Sequence, residues 1–142
     1  MAPAGGLGWH MPDRPLVAIV DDDESIRRAT RSFLRAAGYE TAAFGDAESF
    51  LRSESRESTA CLVADMRMPG MSGLELCETL IAKGEAIPTV LITAYSEEVT
   101  QARVRKAGIN CCLIKPFAPE QLLECVREAL ATPHGEKSIP KS

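Results

Sequence analysis

Five short apolar runs, each followed by a stretch with helical spacing, constrain this chain more than any other feature. The runs fall at 16–20, 39–44, 61–64, 89–93 and 111–114. The first, third and fourth are apolar almost throughout rather than alternating, the pattern of strands covered on both faces in a parallel sheet. Helical patterns fill the gaps. The first spans 24–37, places Ile26, Ala29, Phe33, Leu34 and Ala37 on one face and stops at Gly38, which suits the positive φ just beyond a helix end. A shorter helix follows Asp46 as N-cap and carries Phe50 and Leu51. The third starts near Ser72, with Leu74, Leu76, Cys77, Leu80 and Ile81, and ends by Gly84. The fourth opens after Ser96 and ends before Gly108; the fifth has Pro119 in its first turn and an apolar stripe of Leu122, Val126, Ala129 and Leu130. Five βα units in succession predict an α/β fold, a five-stranded parallel sheet doubly wound with helices on both faces.

The 142 residues allow one domain plus tails. The breaks in pattern assign 1–14 to an N-terminal tail, 15–131 to the domain and 132–142 to a C-terminal tail or truncated linker, with Met11 an alternative start. At 45% hydrophobic and 25% charged the chain has a globular composition. A domain of this size buries roughly 68% of its unfolded surface, so it needs no disulfide or structural metal. A net charge of −4 gives no basic field to attract a phosphate backbone, and direct nucleic-acid binding is not expected. The apolar runs are far shorter than the roughly 20 residues that cross a bilayer, and no signal-peptide core is present, which reads as a cytoplasmic protein with no membrane contact. The five cysteines, Cys61, Cys77, Cys111, Cys112 and Cys125, form no C-x-x-C pair and read as reduced apolar fillers.

Ligands of open parallel sheets bind beyond the carboxyl ends of the strands. Those ends carry Asp21-Asp22-Asp23, Asp65, Thr93 and Lys115-Pro116. Acids favour helix N-termini, and Asp23 fits the cap of the first helix, but capping leaves Asp21 and Asp22 facing Asp65 unexplained. Two carboxylates about 4 Å apart repel by roughly 4 kcal/mol at an effective dielectric near 20, so three in one pocket call for a cation. Oxygen-only donors suit Mg²⁺, and with His10 and His134 in the tails zinc fits poorly. Lys115 and the Thr93 hydroxyl are suited to the oxygens of an incoming anion. A carboxylate can accept a phosphoryl group covalently, and Asp65, alone at a central strand end before a turn rich in Pro and Gly, is the candidate.

These residues together resemble the receiver domain of two-component response regulators, the CheY-like family with a flavodoxin-like fold. The motif comprises an acidic pair after strand one, D-x-x-M-P-x-M-x-G from Asp65 to Gly73, T-A at Thr93-Ala94 and K-P-F at Lys115-Pro116-Phe117. The stretch Asp65-Met66-Arg67-Met68-Pro69 with Met71-Ser72-Gly73 is most similar to the FixJ-type subgroup. The resemblance implies that Asp65 is the phosphoacceptor and that Asp21, Asp22, Asp65 and the backbone carbonyl of Arg67 hold Mg²⁺. It further implies that Thr93 and Ala94 respond to the phosphoryl group, that Lys115 pairs with it, that the bond before Pro116 is cis, and that Arg67 and Tyr95 tune hydrolysis. Cys112 departs from the pattern, since most members carry Tyr or Phe three residues before the lysine. A thiol offers neither the area nor the two-position swing of a ring.

The implied function is a switch that takes a phosphoryl group from a sensor histidine kinase or a phosphotransfer protein and alters the face formed by the fourth helix, fifth strand and fifth helix. The implied partners downstream are another protein, a second copy of the chain upon phosphorylation, or a DNA-binding domain that follows in a longer transcription regulator. On this reading the chain catalyses only its own phosphorylation and dephosphorylation. Two alternatives compete. Asp21-x-Asp23-x-Ser25 also fits the opening motif of haloacid-dehalogenase-type phosphatases, but no later acidic pair follows Lys115. A binding module that has lost phosphorylation would not need Asp21, Asp22, Asp65, Thr93 and Lys115 together.

Overall fold

The computed structural model describes residues 14–94 and 101–131. In chain order the elements are β1 (Leu16–Val20), α1 (Glu24–Ala36), β2 (Glu40–Phe44), α2 (Ala47–Arg52), α3 (Ser55–Ser58), β3 (Thr59–Asp65), α4 (Gly73–Ala82), β4 (Thr89–Thr93), α5 (Gln101–Lys106), β5 (Ile109–Ile114) and α6 (Pro119–Ala131). All strand pairings are parallel, in the order β2-β1-β3-β4-β5. The order reverses between β1 and β3, which opens a crevice at their carboxyl ends.

Alternation along the strands feeds two cores. Ala18, Val20, Leu62, Ala64 and Leu91 face one side, where they meet Phe50 of α2 and Leu74 and Leu80 of α4. Val17, Ile19, Cys61, Val63, Val90 and Ile92 face the other, against Leu34 of α1 and Val126 and Ala129 of α6. Coverage on both faces is the reason β1, β3 and β4 read as continuous apolar runs.

The helix starts follow their caps. Asp23 Oδ1 accepts the Ile26 N–H at 3.1 Å, Asp46 Oδ1 accepts the Ser49 N–H at 2.7 Å, and Ser72 and Glu75 form a reciprocal capping box. Gly38, Gly84 and Gly108 take positive φ after α1, α4 and α5.

Several sequence expectations are corrected. Strands β3 and β5 begin earlier than the apolar runs, at Thr59 and Ile109. Helix α3 is an extra single turn that the pattern could not reveal, because Ser55-Arg56-Glu57-Ser58 holds no apolar residue; it makes the expected fourth and fifth helices α5 and α6. Helix α1 is rotated from the predicted stripe. Ile26, Ala29 and Ala37 are exposed, whereas Arg27 and Thr30 are half-buried and Leu34 is buried. The Arg27 guanidinium donates to the Asp21 carbonyl at 2.8 Å, so a polar contact takes the place the apolar pattern had assigned to Ile26. On α4, Ile81 is exposed.

The cysteines are not all reduced. Cys111 of β5 and Cys125 of α6 are joined in a disulfide with Cα atoms 5.8 Å apart, while Cys61, Cys77 and Cys112 are free. Packing of α6 back onto β5 brings the pair within bonding range across 14 positions of sequence. Among the described residues no helix is long and apolar enough to cross a membrane. The segments 1–13 and 132–142, with His10 and His134, lie outside the described residues, as do Tyr95 and the start predicted for the fourth helix.

Candidate functional site

Strand register brings the predicted residues to one rim of the sheet. Val20 pairs with Ala64, so Asp21 and Asp65 leave adjacent strands at the same level. Asp65 pairs with Ile92 and Thr93 with Ile114, which sets Thr93 and Lys115 alongside. Asp21, Asp22 and Asp65 each offer a carboxylate oxygen, all within 4.8 Å of one another. The Lys115 Nζ lies 3.6 Å from Asp65 Oδ1. Asp21, Asp65 and Thr93 are buried, whereas Asp22 is exposed and opens onto a cleft lined by Met66, Arg67, Met68, Pro69 and Ser72.

The backbone fixes each group. Asp21 Oδ1 accepts the Asp23 N–H at 2.9 Å, which bends the chain so that Asp22 turns outward. The Asp23 carboxylate is occupied by its cap bond to Ile26, as expected, and is not among the clustered oxygens. Lys115 donates its N–H to the Thr93 carbonyl at 2.9 Å, and the Lys115–Pro116 peptide is cis, as the resemblance implied.

Gly73 was legible as part of a motif, but its role was not. A Cβ there would lie 2.5 Å from the Asp65 carbonyl oxygen and 2.9 Å from Leu91 Cδ1. The first residue of α4 therefore packs directly under the central carboxylate's backbone, an approach only glycine permits. Arg27 is a second residue missed by sequence reading, since its position on a helix gave no sign that it reaches back to the acidic loop.

The electrostatics follow from crowding and burial. Burial, reinforced by the Asp21 charge, pushes the Asp65 carboxyl up to about 6, against the opposing pull of Lys115 and an N–H donated by Arg67. Asp21 is likewise raised, chiefly by burial, with the Asp23 N–H and Lys115 acting the other way. One ammonium faces three carboxylates, so the cluster carries a net negative charge in a partly desolvated place. Hard, oxygen-only donors with one exposed member fit a divalent cation such as Mg²⁺, which keeps several of its waters.

The remaining candidates lie around this cluster. Arg67 and Ala94 are exposed beside Asp65 and Thr93 in sequence. Cys112 is half-buried and packs against the core that holds Leu91, Ala107 and Ile109, on the opposite side of the sheet from Cys111; burial raises its thiol above the usual range.

Residues 17–127 match the family model described as the response regulator receiver domain. The chain is 35% identical over 134 residues to the response regulator protein TodT of Pseudomonas putida, covering 93% of this chain and 59% of TodT. It is 37% identical over 123 residues to nodulation protein W of Bradyrhizobium diazoefficiens, covering 85% of this chain and 54% of that protein. Among solved structures, the response regulator StyR superposes with a TM-score of 0.78 at 45% identity, over 83% of this chain and 60% of StyR. FixJ-N superposes with a TM-score of 0.74 at 32% identity, over 85% of this chain and 96% of that one. The chain thus spans little more than half the length of these curated relatives.

Proposed function

Because the chain belongs to the response regulator receiver domain family, we propose that it is a phosphorylation switch in which Asp65 accepts the phosphoryl group. The observation that carries this reading is the cluster of Asp21, Asp22 and Asp65 oxygens within 4.8 Å of one another, with Lys115 at 3.6 Å from Asp65. The phosphatase alternative lapses with the family assignment.

A carboxylate oxygen of Asp65 attacks phosphorus in the phosphohistidine of a sensor kinase or phosphotransfer protein. The P–N bond breaks, its electron pair leaves with the imidazole, and an acyl phosphate remains on Asp65. Asp21, Asp22, Asp65 and the Arg67 carbonyl would hold Mg²⁺, which when bound neutralises charge between the carboxylates and the phosphoryl oxygens. Lys115 supplies the cationic donor for one phosphoryl oxygen and the Thr93 hydroxyl, with the Ala94 N–H beside it, receives another. Water attacking the same phosphorus returns the carboxylate and inorganic phosphate, and Arg67 and Tyr95 govern its access.

The signal then passes to the face of α5, β5 and α6, with Cys112 in place of the family's usual aromatic residue. That face acts on an output domain, a partner protein or a second copy of the chain, in a cytoplasmic setting. The relatives named DctD are transcriptional regulatory proteins, which supports a transcriptional output for the switch.

The test is reaction with acetyl phosphate and Mg²⁺, followed by intact-mass spectrometry. One added phosphoryl group, labile to hydroxylamine and absent from Asp65→Asn, is expected. Equal labelling of Asp65→Asn would overturn the assignment.

A further inference from the structure

The disulfide between Cys111 and Cys125 has no part in the switch as proposed, and a domain with two filled cores does not need it for stability. Its position is informative. The ring it closes runs from Cys111 through Lys115, the cis bond to Pro116 and the first two turns of α6 to Cys125. The lysine that faces Asp65 at 3.6 Å therefore sits inside a covalent loop. We infer that Cys111 and Cys125 form a reversible thiol oxidation site whose state sets the freedom of the segment carrying Lys115.

Geometry supports an internal disulfide at this pair and, among the described cysteines, at no other. Cys111 is half-buried and can be reached by a small disulfide, whereas Cys125 is buried behind it. Cys61 and Cys77 are buried, and Cys112, although next in sequence, points into the opposite core and cannot compete. With a low-molecular-weight disulfide as oxidant, the Cys111 thiolate attacks one sulfur and releases the first thiolate, leaving a mixed disulfide. The Cys125 thiolate then attacks the Cys111 sulfur and releases the second. The oxidant is reduced to two thiols, which take up the two protons given up by the cysteines, and two protein thiols become one disulfide. Disulfides in cytosolic proteins are usually transient and redox-sensing, in keeping with the setting proposed above.

Closing the ring ties β5 to α6 on either side of the turn that carries Lys115, which limits how far that turn can open away from Asp65. The oxidised form is thereby prepared for the incoming phosphoryl group. This consequence for phosphorylation rests on Asp65 being the acceptor, but the oxidation site does not.

The experiment equilibrates the wild-type chain with oxidised and reduced glutathione at several ratios, traps thiols by alkylation and maps the linkage by peptide mass. Hydrogen exchange of peptides within 111–125 and the rate of reaction with acetyl phosphate are then read on both forms. A Cys111–Cys125 linkage that comes and goes with the glutathione ratio is expected, with exchange at 113–118 about tenfold slower in the oxidised form. Phosphorylation should be about threefold faster when oxidised, and Cys125→Ala should match the reduced form under all ratios. No linkage at any ratio, or equal exchange in the two forms, would overturn the inference, and neither result depends on a variant folding. If exchange differs but neither form is phosphorylated, the oxidation site stands and the acceptor reading of Asp65 fails. Equal phosphorylation rates in both forms overturn the link to Lys115.

Discussion

Gly73 lies so close beneath Asp65 that a methyl group at 73 would sit 2.5 Å from the Asp65 carbonyl oxygen. The obstacle is backbone and cannot swing away, so either α4 or the end of β3 must shift. Gly73→Ala is expected to cost about 1–3 kcal/mol of stability, read as a lower urea midpoint. It should also weaken Mg²⁺ binding, because the displaced strand end carries one of the clustered carboxylates. An unchanged midpoint would show that α4 can slide without penalty.

The acidic triplet divides its labour. Asp23 caps α1, whereas Asp22 stands among the clustered oxygens. Asp22→Ala should abolish detectable Mg²⁺ binding in a titration and leave the melting temperature nearly unchanged. Asp23→Ala should bind Mg²⁺ and lose about 1 kcal/mol of stability. The reverse pattern would exchange the two roles.

Asp65 gives a pH signature. Its folded-state pKa of about 6 lies above the unfolded value of 3.8, so the fold takes up a proton that the unfolded chain has released. The stability this provides is fully present below the unfolded value and is lost as pH rises through about 6. Without Mg²⁺, Asp65→Asn should therefore be more stable than the wild type at pH 7.5 by about 1–3 kcal/mol. The gap should close toward pH 4 and shrink when Mg²⁺ is added at neutral pH. Denaturant melts across this range measure it, and a gap that widens in acid would contradict the burial argument.

Cys112 tests the route of the switch. A thiol cannot alternate between an exposed and a filled position as a ring can, so phosphorylation should alter hydrogen exchange at Thr93, Ala94 and α5 and change little at 111–114. Cys112→Tyr should enlarge the response of β5 without changing the rate at which Asp65 is phosphorylated. Because Cys112 packs against a filled core, the ring is expected to cost about 1–3 kcal/mol. Equal β5 responses in the two proteins would show that the aromatic residue is dispensable here.

The sheet and the main chemical groups were legible because both depend on local order. Continuous apolar runs mark strands covered on two faces, and parallel pairing then delivers Asp21, Asp65, Thr93 and Lys115 to the same rim without further information. What could not be read depended on how helices are rotated and docked. Arg27 and Thr30 are half-buried where Ile26 was expected, and the Arg27 guanidinium donates to the Asp21 carbonyl, a contact that no apolar pattern encodes. The Cys111–Cys125 bond required the path of α6 over β5, and no spacing rule supplies that. Helix α3 has no apolar residue to announce it.

Parallel strands have a further effect on the geography of the molecule. Helix α6 begins at the rim that carries Lys115 and its 13 residues run back over the sheet for about 20 Å, so Ala131 lies toward the amino ends of the strands. Arg14 and Pro15 stand at that same end, just ahead of β1. The fold is thus entered and left from one pole while the acidic cluster occupies the other. At Arg14 and Ala131 the described chain therefore stands about a strand length from Asp65, with the bodies of the helices between them.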